Sequence, residues 1–174
     1  MSQLLSNGTI ALRALEPTDL ETLYRWENDT TLWAVSDTIA PYSREALWHY
    51  LENYTGDLYA QRQLRLMITL AEDGTPMGTI DFLNFDPLNN RSELGLFITG
   101  EHRGKGLGRQ ALELLTSYAC NHIGLRQLYV YISLDNEVCL KLFESYGYRR
   151  VGILQSWVKR GNEYRDVALL QMVF

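Results

Sequence analysis

Between a run of strand-forming residues and an amphipathic helix stands Arg103-Gly-Lys-Gly-Leu-Gly108, the segment that most limits what this chain can become. Its three glycines let the backbone turn sharply and approach a ligand with no Cβ in the way. The helix that follows opens with N–H groups that its own turns leave unsatisfied, and these face the same point as the loop. Such a terminus attracts phosphate through hydrogen bonds and the positive end of the helix dipole. Arg103 and Lys105 add charge. The competing reading is a merely structural turn; three glycines with two cations favour the ligand. Two other phosphate loops are excluded. A Walker loop requires Gly-x-x-x-x-Gly-Lys-Ser/Thr, and Gly106 is followed by Leu107. A Rossmann fingerprint requires Gly-x-Gly-x-x-Gly, but position 109 is Arg and the loop follows a β-meander instead of opening a βαβ unit.

The residues around the loop alternate between two periods. Thr9–Ala14 reads as a strand, and Thr18-Asp-Leu-Glu21 after Pro17 as a capping box opening a helix that ends near Asn28. Thr30–Pro41 reads as irregular, and a second helix starts at Ser43. From Leu64 the period becomes that of strands: Leu64–Leu70, Met77–Leu83 and Ser92–Ile98 form a meander with turns at Glu72-Asp-Gly74 and Asp86–Asn90. The glycine loop then opens a third helix through Ala111, Leu112, Leu115 and Ala119. Gln127–Ile132 is a strand, Asn136–Tyr146 a helix stopped by Gly147, and Tyr148–Gln155 pairs with Arg165–Val173 around Arg160-Gly-Asn162. The expected fold class is α+β, a mixed sheet of about seven strands with four helices.

Composition narrows the function. A chain of 174 residues fits one domain, 1–174, and can bury about two thirds of its unfolded surface. Hydrophobic residues at 46% and charged residues at 21% argue against long disorder. A net charge of -5 argues against a nucleic-acid partner and suits a small, cationic ligand. No stretch approaches the roughly 20 apolar residues that span a bilayer, and Met1–Gly8 lacks the form of a signal peptide, so the expected compartment is the cytoplasm. Cys120 and Cys139 are too few for a disulfide scaffold, and His49, His102 and His122 show no metal spacing, so no metal is expected.

Arg103-Gly-Lys-Gly-Leu-Gly108 resembles the Gln/Arg-x-x-Gly-x-Gly/Ala signature of the GNAT N-acetyltransferase superfamily. The likeness extends through Arg13–Leu20, Glu93-Leu-Gly-Leu-Phe-Ile98 and the helix-plus-Gly-aromatic segment Asn136–Tyr148. Gly161-Asn-Glu-Tyr-Arg165 resembles the branch holding spermidine and ribosomal-protein N-terminal acetyltransferases. The resemblance implies a mostly antiparallel twisted sheet, acetyl-CoA as cosubstrate, and direct transfer to a primary amine.

By the same resemblance, Arg103, Gly104, Lys105, Gly106, Leu107 and Gly108 hold the pyrophosphate. Leu96, Phe97 and Ile98 offer backbone contacts to the acetyl and pantetheine groups, although their side chains are equally explained as core. Asn136 contacts the pantetheine arm and also suits an N-cap. An ammonium has no lone pair, so a base must first remove a proton. Glu93 is the expected base and acceptor contact, against the bland reading of a solvated strand carboxylate; Asp81 is a second carboxylate for a cationic amine. Many family members carry a Tyr general acid where this chain has Phe143. A hydroxyl at that position is expected to be neutral or activating, and Tyr146 lies one turn later. A small amine or polyamine is the favoured acceptor, with a protein N-terminus or an aminoglycoside as alternatives; the resemblance makes a homodimer one available assembly, and the sequence does not fix the oligomeric state. A non-catalytic acyl-CoA sensor is the alternative of another class.

Overall fold

The computed structural model describes residues 4–174, which divide into two compact units: residues 14–56, and the rest of the described chain.

Residues 14–56 are helical. The Asp19 carboxylate accepts the Glu16 N–H at 2.8 Å, so the reciprocal cap lies at Glu16–Asp19, ahead of the box expected at Thr18–Glu21. Pro17 explains the difference: its fixed φ suits the first helical position, which makes the residue before it the cap. A short 3-10 turn, Pro17–Asp19, leads into α1 (Leu20–Glu27). The stretch read as irregular contains the single turn α2 (Trp33–Ser36), ended by Asp37 at φ 54°. Ser43 caps α3 (Arg44–Asn53), its hydroxyl accepting the Ala46 N–H at 3.0 Å. Arg44 joins α3 to α1: it reaches both Glu21 oxygens at 2.8 and 3.1 Å and lies 3.9 Å over the Tyr24 ring.

The second unit carries seven strands: β1 (Ile10–Ala14, whose last residue falls in the first unit), β2 (Leu64–Leu70), β3 (Pro76–Asp86), β4 (Arg91–Ile98), β5 (Gln127–Ser133), β6 (Arg149–Arg160) and β7 (Glu163–Val173). Its helices are the single turn α4 (Leu58–Gln61), α5 (Leu107–Tyr118) and α6 (Glu137–Tyr146). Among the described residues the fold is therefore α+β with six α-helices where four helices were expected, the two additions being four residues each. Strands run in the order β1-β2-β3-β4-β5-β7-β6. Pairing is antiparallel for β2–β3, β3–β4, β5–β7 and β6–β7, and parallel for β4–β5. The final hairpin is longer than its alternation suggested, because irregularities after Arg150 and Leu154 hide the period. At the second, Ser156 sits at φ 49° and donates its N–H to Asp166 at 2.8 Å.

One feature of the sheet prepares the site. The β4–β5 ladder covers only Arg91–Glu93 against Gln127–Tyr129. Beyond Glu93, β4 runs on beside β3 to Ile98, while β5 runs on beside β7 to Ser133. Strand alternation puts Leu94, Leu96 and Ile98 on one face, toward the core, and Glu93, Gly95 and Phe97 on the other. Leu94, Leu107, Leu112, Leu115 and Phe82 are buried together under the first face.

Candidate active site

The glycine loop leaves β4 through Thr99. The Thr99 hydroxyl meets His102 Nδ1 at 2.7 Å, and Arg103 Nε donates to the Ile98 carbonyl at 2.9 Å, fastening the loop to the strand end. Gly104 and Gly106 then take φ +72° and +74°, the left-handed region where a side chain is strained. A Cβ at either would meet nothing within 4 Å, so the backbone here borders open space. Leu107 is buried and anchors the first turn of α5. Gly108 lies close to Leu142, Leu96 and Ile98, at 3.5–3.8 Å from where its Cβ would be. Gln110 donates to the Gly106 carbonyl as α5 begins. The N–H groups of Leu107, Gly108 and Arg109 precede it and have no acceptor within the helix. An open glycine turn ending in such a terminus fits a diphosphate. Of the six loop residues expected at the ligand, Leu107 has its side chain buried in the core, and Lys105 is an exposed cation.

Glu93 sits at the last β4–β5 pair, opposite Tyr129. It is half-buried, and Asn84 Nδ2 donates to its Oε2 at 2.7 Å. Burial raises the Tyr129 phenol above its ordinary pKa, and the Glu93 charge adds to the effect. Tyr131, two residues along β5 and exposed, stands edge-on to Tyr129 with centroids 5.8 Å apart. A carboxylate and two aromatic rings thus share one sheet face where the two strands part.

Asp81 lies on that face as well, opposite Gly95. Its buried carboxylate is held by Arg65 of β2 through contacts of 3.1 and 3.3 Å, so its charge is compensated within the sheet. Arg65 and Asn84 went unrecognised in the sequence. Arg65 acquires meaning only through the β2–β3 register; Asn84 left a faint signal, a residue tolerant of φ > 0 directly after the strand read as Met77–Leu83.

Leu96, Phe97 and Ile98 are each half-buried. Asn136 caps α6, its Oδ1 accepting the Cys139 N–H at 3.2 Å. Phe143 is 1% exposed and meets the Tyr148 ring edge-on at 5.0 Å, so it is a core residue. Tyr146 is half-buried, with the Arg109 guanidinium 5.6 Å above its ring; burial raises its phenol pKa, against a smaller opposing effect of the Thr116 hydroxyl. Cys139 is also shielded, and burial pushes its thiol up to about 11. Such a thiol is a packing group and a poor nucleophile at neutral pH.

Comparison with known proteins agrees with this geometry. Residues 9–149 match the acetyltransferase (GNAT) domain family. The chain is 23% identical to spermidine N(1)-acetyltransferase of Vibrio cholerae over 92% of its own length and 91% of the relative's. It is 27% identical to the ribosomal-protein-serine acetyltransferase of Escherichia coli, over 63% of this chain and 61% of that one. Among solved structures, the Vibrio cholerae spermidine N-acetyltransferase in complex with CoA and spermine superposes with a TM-score of 0.86 at 21% identity, covering 96% of each chain. The family match through sheet and glycine loop alike settles the class: the chain belongs to the GNAT acetyltransferases and is an N-acetyltransferase.

Proposed function

We propose that this enzyme acetylates a primary amine of a small polycation, with the whole chain acting as one catalytic domain. The observation that carries the reading is the half-buried Glu93 carboxylate where β4 leaves β5, facing the same way as Tyr129 and Tyr131. A carboxylate beside aromatic faces attracts an organic ammonium by charge and by cation–π contact. The net charge of -5 favours the approach of a polycation. The family match runs from residue 9 to 149, through both compact units, which supports a single domain.

Bound acetyl-CoA would supply the reactive thioester. The backbone N–H groups from Gly104 through Arg109 would hold its diphosphate, with Lys105 and Arg103 adding charge. Leu96, Phe97 and Ile98 would border the acyl arm with their backbone, and Asn136, while capping α6, would lie beside it. Glu93 would take a proton from the ammonium, which exposes the nitrogen lone pair. Asn84 occupies Oε2, so Oε1 is the atom toward which the proton moves. Phe143 has no proton to give, and the departing sulfur takes one from water or from the amine. No metal has a part in this scheme.

A protein N-terminus is the second reading, favoured by the 27% identity to the ribosomal-protein-serine acetyltransferase. Both are tested by free-CoA release from acetyl-CoA against spermidine, spermine, Ala- and Ser-starting peptides and an aminoglycoside, with a no-amine control. Release with the polyamines is the expected outcome. Release with the peptides alone would transfer the proposal to protein N-termini. Silence across the panel, with acetyl-CoA still raising the melting temperature, would overturn the polycation reading and mean an acceptor outside the panel or an acyl-CoA sensor.

A further inference from the structure

We propose that Asn84 is a positioning residue for Glu93: it fixes one carboxylate oxygen so that the other is presented to the acceptor amine. The inference rests on the reading of Glu93 as the base.

Asn84 lies at a bulge. The β3–β4 register passes from Leu83↔Glu93 to Asp86↔Arg91, so Asn84 and Phe85 together oppose Ser92. In a regular strand, position 84 would point to the face opposite that of Leu83 and Glu93. The bulge turns it, with φ at +47°, so that Nδ2 reaches Glu93 Oε2 at 2.7 Å. Bulges of this kind re-aim single side chains, and Asn is among the few residues that accept the left-handed region. Both flanks of the turn are secured. The Ser92 hydroxyl donates to the Leu83 carbonyl at 2.8 Å, while Phe85 is buried and its N–H meets the Arg62 carbonyl at 3.0 Å.

Stability is a poor explanation for this arrangement. Asn84 is exposed, and an exposed hydrogen bond adds little to folding, whereas a non-glycine residue at positive φ is unfavourable. Positioning explains it better. Glu93 has three rotatable bonds, and a half-buried strand carboxylate would otherwise sample several rotamers. A charge-assisted hydrogen bond to one oxygen restricts that freedom and leaves the second oxygen available to a proton.

Asn84→Gly is the informative substitution, since glycine keeps the backbone turn and deletes only the amide. Its expected effect, with the amine that gives fastest CoA release, is a fall of about tenfold in kcat. KM for the amine and the melting temperature should stay close to wild type. Asn84→Asp keeps the shape but replaces the donor with a second carboxylate, and should lose more activity than glycine. In a Glu93→Gln background, Asn84→Gly should change nothing further. A readout that needs no turnover is the Asn84 side-chain amide resonance, assigned by its loss in Asn84→Gly. It should lie downfield in the wild type and move to the free-amide position in Glu93→Ala.

The failures separate. Wild-type turnover in Glu93→Gln would remove the base, and the inference with it. A large loss in Glu93→Gln with none in Asn84→Gly would remove Asn84 alone. So would equal losses from Asn84→Gly in both backgrounds, or an amide resonance indifferent to Glu93→Ala.

Discussion

Arg65 and Asp81 face each other across β2 and β3 and are joined twice, Nε to Oδ1 at 3.1 Å and Nη2 to Oδ2 at 3.3 Å. The Asp81 side chain is 9% exposed and that of Arg65 21%. The pair therefore lies largely out of water, where losing one partner is far more damaging than at a surface.

Removing the carboxylate should expose that dependence. Asp81→Ala is expected to destabilise the protein by about 3 kcal/mol in urea denaturation, with Asp81→Asn milder because it keeps an acceptor for Arg65. KM for the amine should change less than twofold in the folded Asn variant, since the native charge is already compensated. A tenfold rise in that KM with stability intact would instead make Asp81 an acceptor-binding carboxylate.

Gly106 separates backbone strain from ligand contact. Its φ of +74° makes any side chain unfavourable, so Gly106→Ala and Gly106→Asp should both lower the melting temperature of the free protein, by the equivalent of about 1–2 kcal/mol. They should differ once acetyl-CoA is added. At 100 times its dissociation constant the ligand should stabilise the wild type by about 2.7 kcal/mol. Gly106→Ala should retain part of that gain. Gly106→Asp should retain none, because its carboxylate would meet the diphosphate. Equal ligand shifts in wild type and Gly106→Asp would take the loop out of the binding site.

The parts of this molecule governed by neighbours in sequence were legible before any coordinates. β2 was bounded correctly at Leu64 and Leu70 by its apolar run, and the helix start at Ser43, the Asn136 cap and the Gly147 stop follow from local chemistry. Where two local signals competed, the reading slipped: Pro17 moved the first cap to Glu16, against the Thr18–Glu21 pattern. What depends on register was not legible. The Arg65–Asp81 pair, the parting of β4 from β5 after Glu93 and the turn of Asn84 toward Glu93 all arise from alignments between distant segments. Side-chain burial on α6 belongs with them: Phe143 and Tyr146 stand three residues apart, and packing alone makes the first core and the second half-exposed.

That burial reverses an expectation for Phe143→Tyr. A hydroxyl added at a ring 1% exposed and packed against Tyr148 enters the core, where an unpartnered O–H costs about 1–3 kcal/mol. The variant should be destabilised by that amount in denaturant titration and show no gain in turnover. Tyr146→Phe should leave turnover within twofold of wild type, since burial makes its phenol a weaker acid than an ordinary tyrosine. A loss of tenfold or more in Tyr146→Phe, full at neutral pH and shrinking as the wild-type phenol loses its proton at alkaline pH, would make Tyr146 the acid after all.

Cys139 gives the pH dependence of stability. In the folded chain burial pushes its thiol up to about 11, whereas an unfolded cysteine ionises near ~8.5. Below pH ~8.5 both states hold the proton and the difference has no effect. As pH rises further, the unfolded state releases its proton while the folded state keeps it, so unfolding is progressively favoured. Relative to neutral pH, stability should therefore fall by about 3 kcal/mol by about pH 11. Tyr148, whose phenol burial also raises, adds to the alkaline loss in wild type and variant alike, so the difference between them isolates the thiol. Urea unfolding at pH 7.5 and 10.5 should show Cys139→Ala less stable than wild type at the lower pH, through lost packing, and less sensitive to the change. The same burial should protect the thiol chemically: at pH 8 a thiol reagent should consume the exposed Cys120 and leave Cys139 intact until denaturant is added. Equal reaction rates for the two, with parallel pH profiles for wild type and Cys139→Ala, would mean that the first turn of α6 opens in solution and that Asn136 does not hold it closed.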